Sequence, residues 1–385
     1  MENLHDERGP QSAPSPGVLL DIRNLVTEFR TDSETVKAVN DVSYVVKAGE
    51  TIGIVGESGS GKSVTALSVM GLIPNPPGEV TGGEIIYNSR ENGLVDLTKL
   101  SEKEIRKYRG NEIAMIFQEP MTSLNPVFTC GEQVVEAIVQ HKKFTSVSKG
   151  RNFLDNCGKW FFRVFFFANV WGILSWLSSK YIGPKRFYSK KEKIARELVM
   201  DLFAQVQLPD PERMFNAYPH QISGGQKQRV MIAMAMSCNP QLLIADEPTT
   251  ALDVTVQKTI LELMKELQAT HNMSIMFITH DLGVIAELAD RVMVMYKGKI
   301  VEQGSVLEIF SNPQHPYTKS LLACRPPLNR RLHWLPTVSD FMRSDEAGNI
   351  IQNEQSVHEV TYNLVVTEQE RTMQHKALYA QEPVL

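Results

Sequence analysis

Residues 51–63 read TIGIVGESGSGKS: a short β-branched run, then glycines and serines, then a lysine and a serine that open a new apolar stretch. The run TIGIVG has the unbroken apolar character of a strand buried on both faces. Past Lys62 the segment SVTALSVMGLI predicts a helix, ended by Pro74, Pro76 and Pro77. Between the two, Gly56, Glu57, Ser58, Gly59, Ser60, Gly61, Lys62 and Ser63 fit G-x-x-x-x-G-K-[ST] in the strand-to-helix setting that this pattern requires. Glycines let the backbone curl until its N–H groups converge on phosphate oxygens. The helix N-terminus adds partial positive charge there. Lys62 then reaches the β- and γ-phosphates, and the Ser63 hydroxyl is a ligand for Mg²⁺.

Outward from this loop the pattern is consistent. Upstream, VLLDIRNLVTEF from Val18 and VKAVNDVSYVVKAGE alternate apolar and polar residues between turn signals, which predicts antiparallel strands. Downstream, GGEIIYN and EIAMIFQ read as strands, and Thr129 to His141 as a helix. KKEKIARELVMDLFAQVQL predicts an amphipathic helix with Ile194, Leu198, Val199 and Leu202 on its apolar face. Another helix follows Ser223. QLLIAD is a buried strand, TVQKTILELMKELQATHN a helix, SIMFITH a strand, DLGVIAELA a helix and RVMVMYKGKIVEQG a hairpin. Strands alternating with helices imply an α/β fold whose mainly parallel sheet is covered on both faces. From about Ser344 the chain is polar with weak periodicity, and no fold is assigned there.

Three further segments carry chemistry. In LLIADEP, residues 242–248, an apolar strand delivers Asp246 to the C-terminal edge of the sheet, where ligands bind in such folds. Asp246 is placed to hold Mg²⁺ directly or through water. Glu247 is placed to orient or deprotonate an attacking water. In HQISGGQKQR, residues 220–229, Ser223 is a natural helix N-cap, and Gly224 and Gly225 permit close backbone approach. One nucleotide needs one phosphate cradle, so a second such cradle makes sense if it closes over a nucleotide held by another subunit. Gln118 in IFQEP either ligates Mg²⁺ or positions water, and His280 in FITHD can hydrogen-bond a γ-phosphate.

These elements, in this order, resemble the ATP-binding cassette family over about residues 18–310. The resemblance implies a P-loop NTPase fold: a RecA-like core, an antiparallel β subdomain and a helical subdomain carrying ISGGQ. In that family GESGSGKS is the Walker A loop, Gln118 the Q-loop glutamine, ADE at 245–247 the Walker B end, Thr250 to Asp253 the D-loop and His280 the switch histidine. ISGGQ at 222–226 resembles the signature motif, with Ile222 where leucine is commoner. Phe29 stands roughly where an aromatic stacks on adenine; a core phenylalanine is the alternative. The implied assembly is a head-to-tail pair of cassettes in which Ser223, Gly224, Gly225, Gln226 and Asp253 contact ATP held by the other cassette. That second ATPase subunit is either identical or homologous.

GIVGESGSGKS, IFQEPMTSLNP, NAYPHQISGGQKQRVMIAMA and NPQHPYTKSLLACRPPL together resemble the oligopeptide/dipeptide/nickel importer ATPases. This implies permease subunits as partners, a substrate-binding protein acting indirectly, ATP and Mg²⁺ as the bound species, and a peripheral place on the cytoplasmic face of the inner membrane. Peptide, nickel, glutathione or another small solute remain open as cargo. Some members hold an iron–sulfur centre on a C-terminal cysteine cluster; only Cys324 lies beyond Cys238 here, so none is expected.

Composition agrees. The 385 residues are 42% hydrophobic and 22% charged with a net charge of −4, which argues against a nucleic-acid binder. Four scattered cysteines, Cys130, Cys157, Cys238 and Cys324, suit neither a disulfide framework nor a zinc site. Residues 1–17 lack an apolar core and read as a flexible arm, not a signal peptide. Residues 311–385 form a C-terminal extension of the oligopeptide-importer type with an atypical tail. Between Lys142 and Lys190 lies an insert centred on WFFRVFFFANVWGILSWL, 18 residues with one charge, Arg163. It is short for a membrane span. Either it packs as a helical hairpin on the helical subdomain, or it lies at a membrane surface, since Trp and Phe are abundant and lysines flank it.

Overall fold

The computed structural model describes residues 17–31, 34–118, 123–141, 190–250, 252–324, 342–344 and 350–352. The insert 142–189, the arm up to residue 16 and most of the tail after residue 324 lie outside them, and with these the alternatives read for the insert. The described residues fall into two compact units, one from those up to 123 and from 239 onward, the other from those between 124 and 238.

The first unit holds two sheets. Strands β1 (Val18–Arg30), β2 (Thr35–Lys47), β4 (Gly78–Ser89) and β5 (Gly93–Asp96) make an antiparallel sheet in the order β2-β1-β4-β5. Along β2, Val42, Tyr44 and Val46 are buried while the residues between them are not, the two-residue period of a half-buried strand. The second sheet orders its strands β10-β9-β3-β8-β7-β6: β3 (Thr51–Val55), β6 (Ile113–Ile116), β7 (Leu242–Asp246), β8 (Ser274–Thr279), β9 (Arg291–Tyr296) and β10 (Lys299–Ser305). All neighbours run parallel except β10 on β9. Strands β3, β7 and β8 are buried at every position, in keeping with apolar runs broken only at their ends.

One core joins the sheets. Leu20, Ile22, Tyr44, Val46 and Tyr87 of the antiparallel sheet pack with Ile52, Ile54 and Met276 of the parallel one, and with Val69 of helix α1 (Lys62–Val69). Each large aliphatic side chain buried this way contributes about 1.5–3 kcal/mol. Helix α1 stops earlier than its sequence suggests. The prolines are not the stop: Gly71, at φ 61°, closes the helix, its N–H on Ser68 O at 3.0 Å and the Leu72 N–H on Leu67 O at 2.8 Å. That paired bonding around a left-handed glycine satisfies the last carbonyls before any proline is reached.

The second unit is helical: α3 (Cys130–His141), α4 (Lys190–Gln205), α5 (Pro211–Asn216) and α6 (Gly224–Met236), with α2 (Glu102–Ile105) belonging to the first unit. The buried stripe of α4 is Ala195, Val199 and Phe203, spaced four apart. This corrects the face read from sequence: Val199 is in it, whereas Ile194 is 42% exposed and Leu198 and Leu202 are half-buried. Val199 occupies the centre of the stripe, with the small Ala195 at one end and Phe203 supplying its bulk at the other, so Leu198 and Leu202 fall on its flank. Phe215 of α5 packs against Gly131 of α3 so closely that a Cβ on the glycine would meet its ring at 2.1 Å. The Arg196 guanidinium lies 4.7 Å from the centroid of the same ring.

Helices α7 (Val254–His271), α8 (Leu282–Leu288), α9 (Val306–Ser311) and α10 (Pro316–Ala323) complete the first unit, with a short pairing of Met342–Ser344 on Ile350–Gln352. Among the described residues no helix is long and apolar enough to cross a membrane.

Candidate functional site

Four parallel strands end side by side. The register sets Val55 opposite Thr279, Asp246 opposite Ile278 and Ile116 opposite Ala245. Whatever follows each strand therefore meets at one edge: the loop 56–61 after β3, Gln118 after β6, Glu247 after β7 and His280 after β8.

The loop is built by its glycines. Gly56, Gly59 and Gly61 all have positive φ, at 157°, 78° and 101°. A side chain at Gly56 would press on Met295 O at 2.2 Å, and one at Gly61 on Ala38 O at 2.4 Å. The loop is also held from outside, since the Gly298 N–H donates to Ser60 O at 3.0 Å. Lys62 is 5% exposed and folds back along the loop, its Nζ donating to Gly56 O and Glu57 O at 2.8 Å each. Burial lowers its pKa from the ordinary lysine range, opposed by Glu247, Asp246 and Glu57.

Beside it the Ser63 hydroxyl donates to Asp246 Oδ1 at 3.0 Å. Asp246 is 4% exposed, and burial raises its carboxyl above the usual aspartate range; the Ser63 bond and Lys62 oppose this while Glu247 adds to it. Glu247 is the hub of the edge. Its Oε2 accepts from Thr250 Oγ1 at 3.0 Å and from Gln118 Nε2 at 3.3 Å, and its Oε1 lies 3.2 Å from His280 Nδ1. Its backbone sits at φ 47° and its N–H is tied to Ile278 O at 2.9 Å.

Of the residues singled out in the sequence, Gly56 to Ser63, Gln118, Asp246, Glu247 and His280 thus come together. Asp253 caps α7, accepting from the Val256 N–H at 2.9 Å. Phe29 is half-buried in the four-stranded sheet, its ring against Gly78. Ser223, Gly224, Gly225 and Gln226 belong to the helical unit. There Ser223 Oγ accepts the Gln226 N–H at 3.3 Å and Gln226 Oε1 accepts the Ser223 N–H at 3.0 Å, a reciprocal cap that opens α6 with Ser223 exposed.

Two contacts escaped the reading of the sequence. Thr250 was read only as part of a four-residue motif, although its place three residues after Glu247 is turn spacing. Tyr317, read only as a letter of HPYT, puts its hydroxyl 2.9 Å from the Glu57 N–H inside the loop.

Comparison with known proteins bears on this arrangement. Residues 39–250 match the family described as ABC transporter, and residues 301–349 the one described as oligopeptide/dipeptide transporter, C-terminal region. A putative peptide import ATP-binding protein of Brucella ovis is 46% identical over 310 residues, covering 80% of this chain and 78% of that protein. The oligopeptide transport ATP-binding protein OppD of Bacillus subtilis is 46% identical, covering 80% of this chain and 72% of its own length. Among solved structures, a dimeric ATP-binding cassette in a post-hydrolysis state with ADP and phosphate aligns at a TM-score of 0.56 and 24% identity, over 75% of this chain and 99% of the other.

Proposed function

The chain belongs to the ABC transporter family, and on that premise we propose that it is the ATP-hydrolysing subunit of an importer for peptides. The cargo follows from the relatives' names and from the oligopeptide-type C-terminal region. The hydrolytic chemistry rests on one observation above the others: Glu247 is gathered with Thr250, Gln118 and His280 next to the Ser63–Asp246 pair and Lys62.

Each group has a task. The N–H groups of residues 56–63 and the Lys62 ammonium hold the phosphates of ATP. Phe29 stacks on the adenine. Glu247 orients a water for in-line attack and accepts its proton. Gln118 and Thr250 hold that carboxylate in place. His280, 61% exposed on its side chain, donates toward the γ-phosphate as the bond breaks. Ser63, Gln118 and Asp246 offer hard oxygen donors, which suit Mg²⁺. When bound there, the ion neutralises charge on the phosphate oxygens. Most of the acceleration comes from fixed charges and dipoles aimed at the transferring group.

The signature segment, Ser223 to Gln226, together with Asp253, presents N–H groups and a capped helix start to nucleotide bound by a second cassette. Two cassettes under permease subunits, on the cytoplasmic face of the inner membrane and fed by a substrate-binding protein, complete the transporter.

The test is ATPase activity of the wild type and of Glu247→Gln, with size-exclusion chromatography in ATP. Turnover should fall by roughly 10²–10⁴ and an ATP-bound dimer should accumulate. Unchanged turnover overturns the role given to Glu247.

A further inference from the structure

Tyr317 lies on α10, in the C-terminal region, 260 positions after the glutamate whose backbone it touches. It is fully buried. Its ring packs on Tyr296, the last residue of β9, with centroids 4.3 Å apart. Packing alone needs a ring; a buried hydroxyl additionally needs a polar partner. The partner here is the Glu57 N–H, which donates to the Tyr317 oxygen at 2.9 Å. The carbonyl of the same residue accepts from Lys62 Nζ at 2.8 Å. Glu57 is thus pinned through both of its backbone polar groups, in a loop that otherwise consists largely of glycine and serine.

The tyrosine is itself anchored. Its own N–H donates to His315 Nδ1 at 3.1 Å, and the N–H groups of Gln314 and His315 donate to the Glu302 carboxylate at 2.6 and 3.0 Å. Glu302 stands on β10, whose turn from β9 carries Gly298, the second external support of the loop. The HPYT segment therefore fastens the phosphate loop to the β9–β10 hairpin.

We propose that Tyr317 is a positioning residue of the phosphate loop, and that through it the HPYT segment sets the affinity of the chain for nucleotide. The inference rests on the ATP-binding role given above to residues 56–63. Without the hydroxyl the Glu57 N–H loses its partner and the loop must be ordered by the ligand, so binding weakens. The Glu247 cluster belongs to other strands, and its turnover is preserved.

Full-length wild type, Tyr317→Phe and Lys62→Ala should be compared by ATP titration, steady-state ATPase kinetics and amide hydrogen exchange. For Tyr317→Phe the expected result is a Kd and KM for ATP raised about five- to tenfold, the scale of one lost hydrogen bond, with kcat within about twofold. Exchange should quicken in a peptide spanning residues 52–60 and stay unchanged in Ser274–Thr279. A wild-type KM in this variant overturns the proposal, as does an equal loss in kcat, which marks general damage. Should Tyr317→Phe fail to fold, exchange in the nucleotide-free wild type decides. A slow Glu57 amide supports the contact, and one exchanging like an open loop refutes it. Lys62→Ala separates the two levels: undiminished ATP binding there overturns the nucleotide reading of the loop itself.

Discussion

Glu247 occupies a left-handed backbone conformation at φ 47°, which costs a non-glycine residue about 1 kcal/mol or more. The strain is held by the Ile278 carbonyl beneath its N–H and by three side chains on its carboxylate. Thr250→Val removes one of those donors without changing shape much. It should lower kcat by about tenfold and leave the KM for ATP near wild type, as steady-state kinetics will show. The titration of the two buried charges frames a second prediction. Burial raises Asp246 and lowers Lys62. The sign for stability follows. A carboxyl raised in the folded state binds its proton more tightly there than when unfolded, so it costs stability once pH rises through the folded pKa. Asp246→Asn should raise the Tm of the nucleotide-free protein at neutral pH while abolishing hydrolysis, a pairing checked by calorimetry and phosphate release. At this scale placement was legible wherever it is written as spacing, as in the strand–loop–helix of residues 56–63 or the strand end at Asp246 and Glu247. Thr250 and Tyr317 were not, because a hydroxyl declares no role until the fold supplies its partner.

At the scale of elements, uniform patterns read correctly and mixed ones did not. Strands β3, β7 and β8 are apolar between their ends and buried at every position, and admit one interpretation. Helix α4 offers more apolar positions than one face can take, and only its neighbours choose Ala195, Val199 and Phe203. Those neighbours leave little slack. Gly131 lets α3 lie directly on Phe215, and a methyl there meets the ring at 2.1 Å. Gly131→Ala should destabilise the helical unit by about 1–3 kcal/mol through overpacking, seen as a lower urea midpoint with an unchanged slope. Helix α1 shows the converse error. Its three downstream prolines are the louder stop signal, yet Gly71 acts first because the left-handed turn satisfies carbonyls that proline leaves open.

Across the whole molecule, the residues assigned to phosphate, metal and water all fall in one unit, while the signature serine and the sequence interrupted by the aromatic insert fall in the other. Removal of residues 145–188 should accordingly leave ATP binding within about twofold of wild type while reducing the share of protein that sediments with membranes. Equal sedimentation of the deletion would show that the insert has no part in recruitment. The sheet that carries the site also has a temporal consequence. Strand β3 is made early in synthesis, yet it is flanked by β8 and β9, with Ile52 opposite both Met276 and Arg291. Until the ribosome has released those partners, the first half of the chain holds an apolar strand with both edges open, a segment prone to pair with strangers. The fastening at Tyr317 arrives later still. A nascent chain of this protein thus emerges with its loop motif already spelled out and no frame to hold it, so chaperone occupancy during translation should persist until about residue 300 has cleared the exit tunnel.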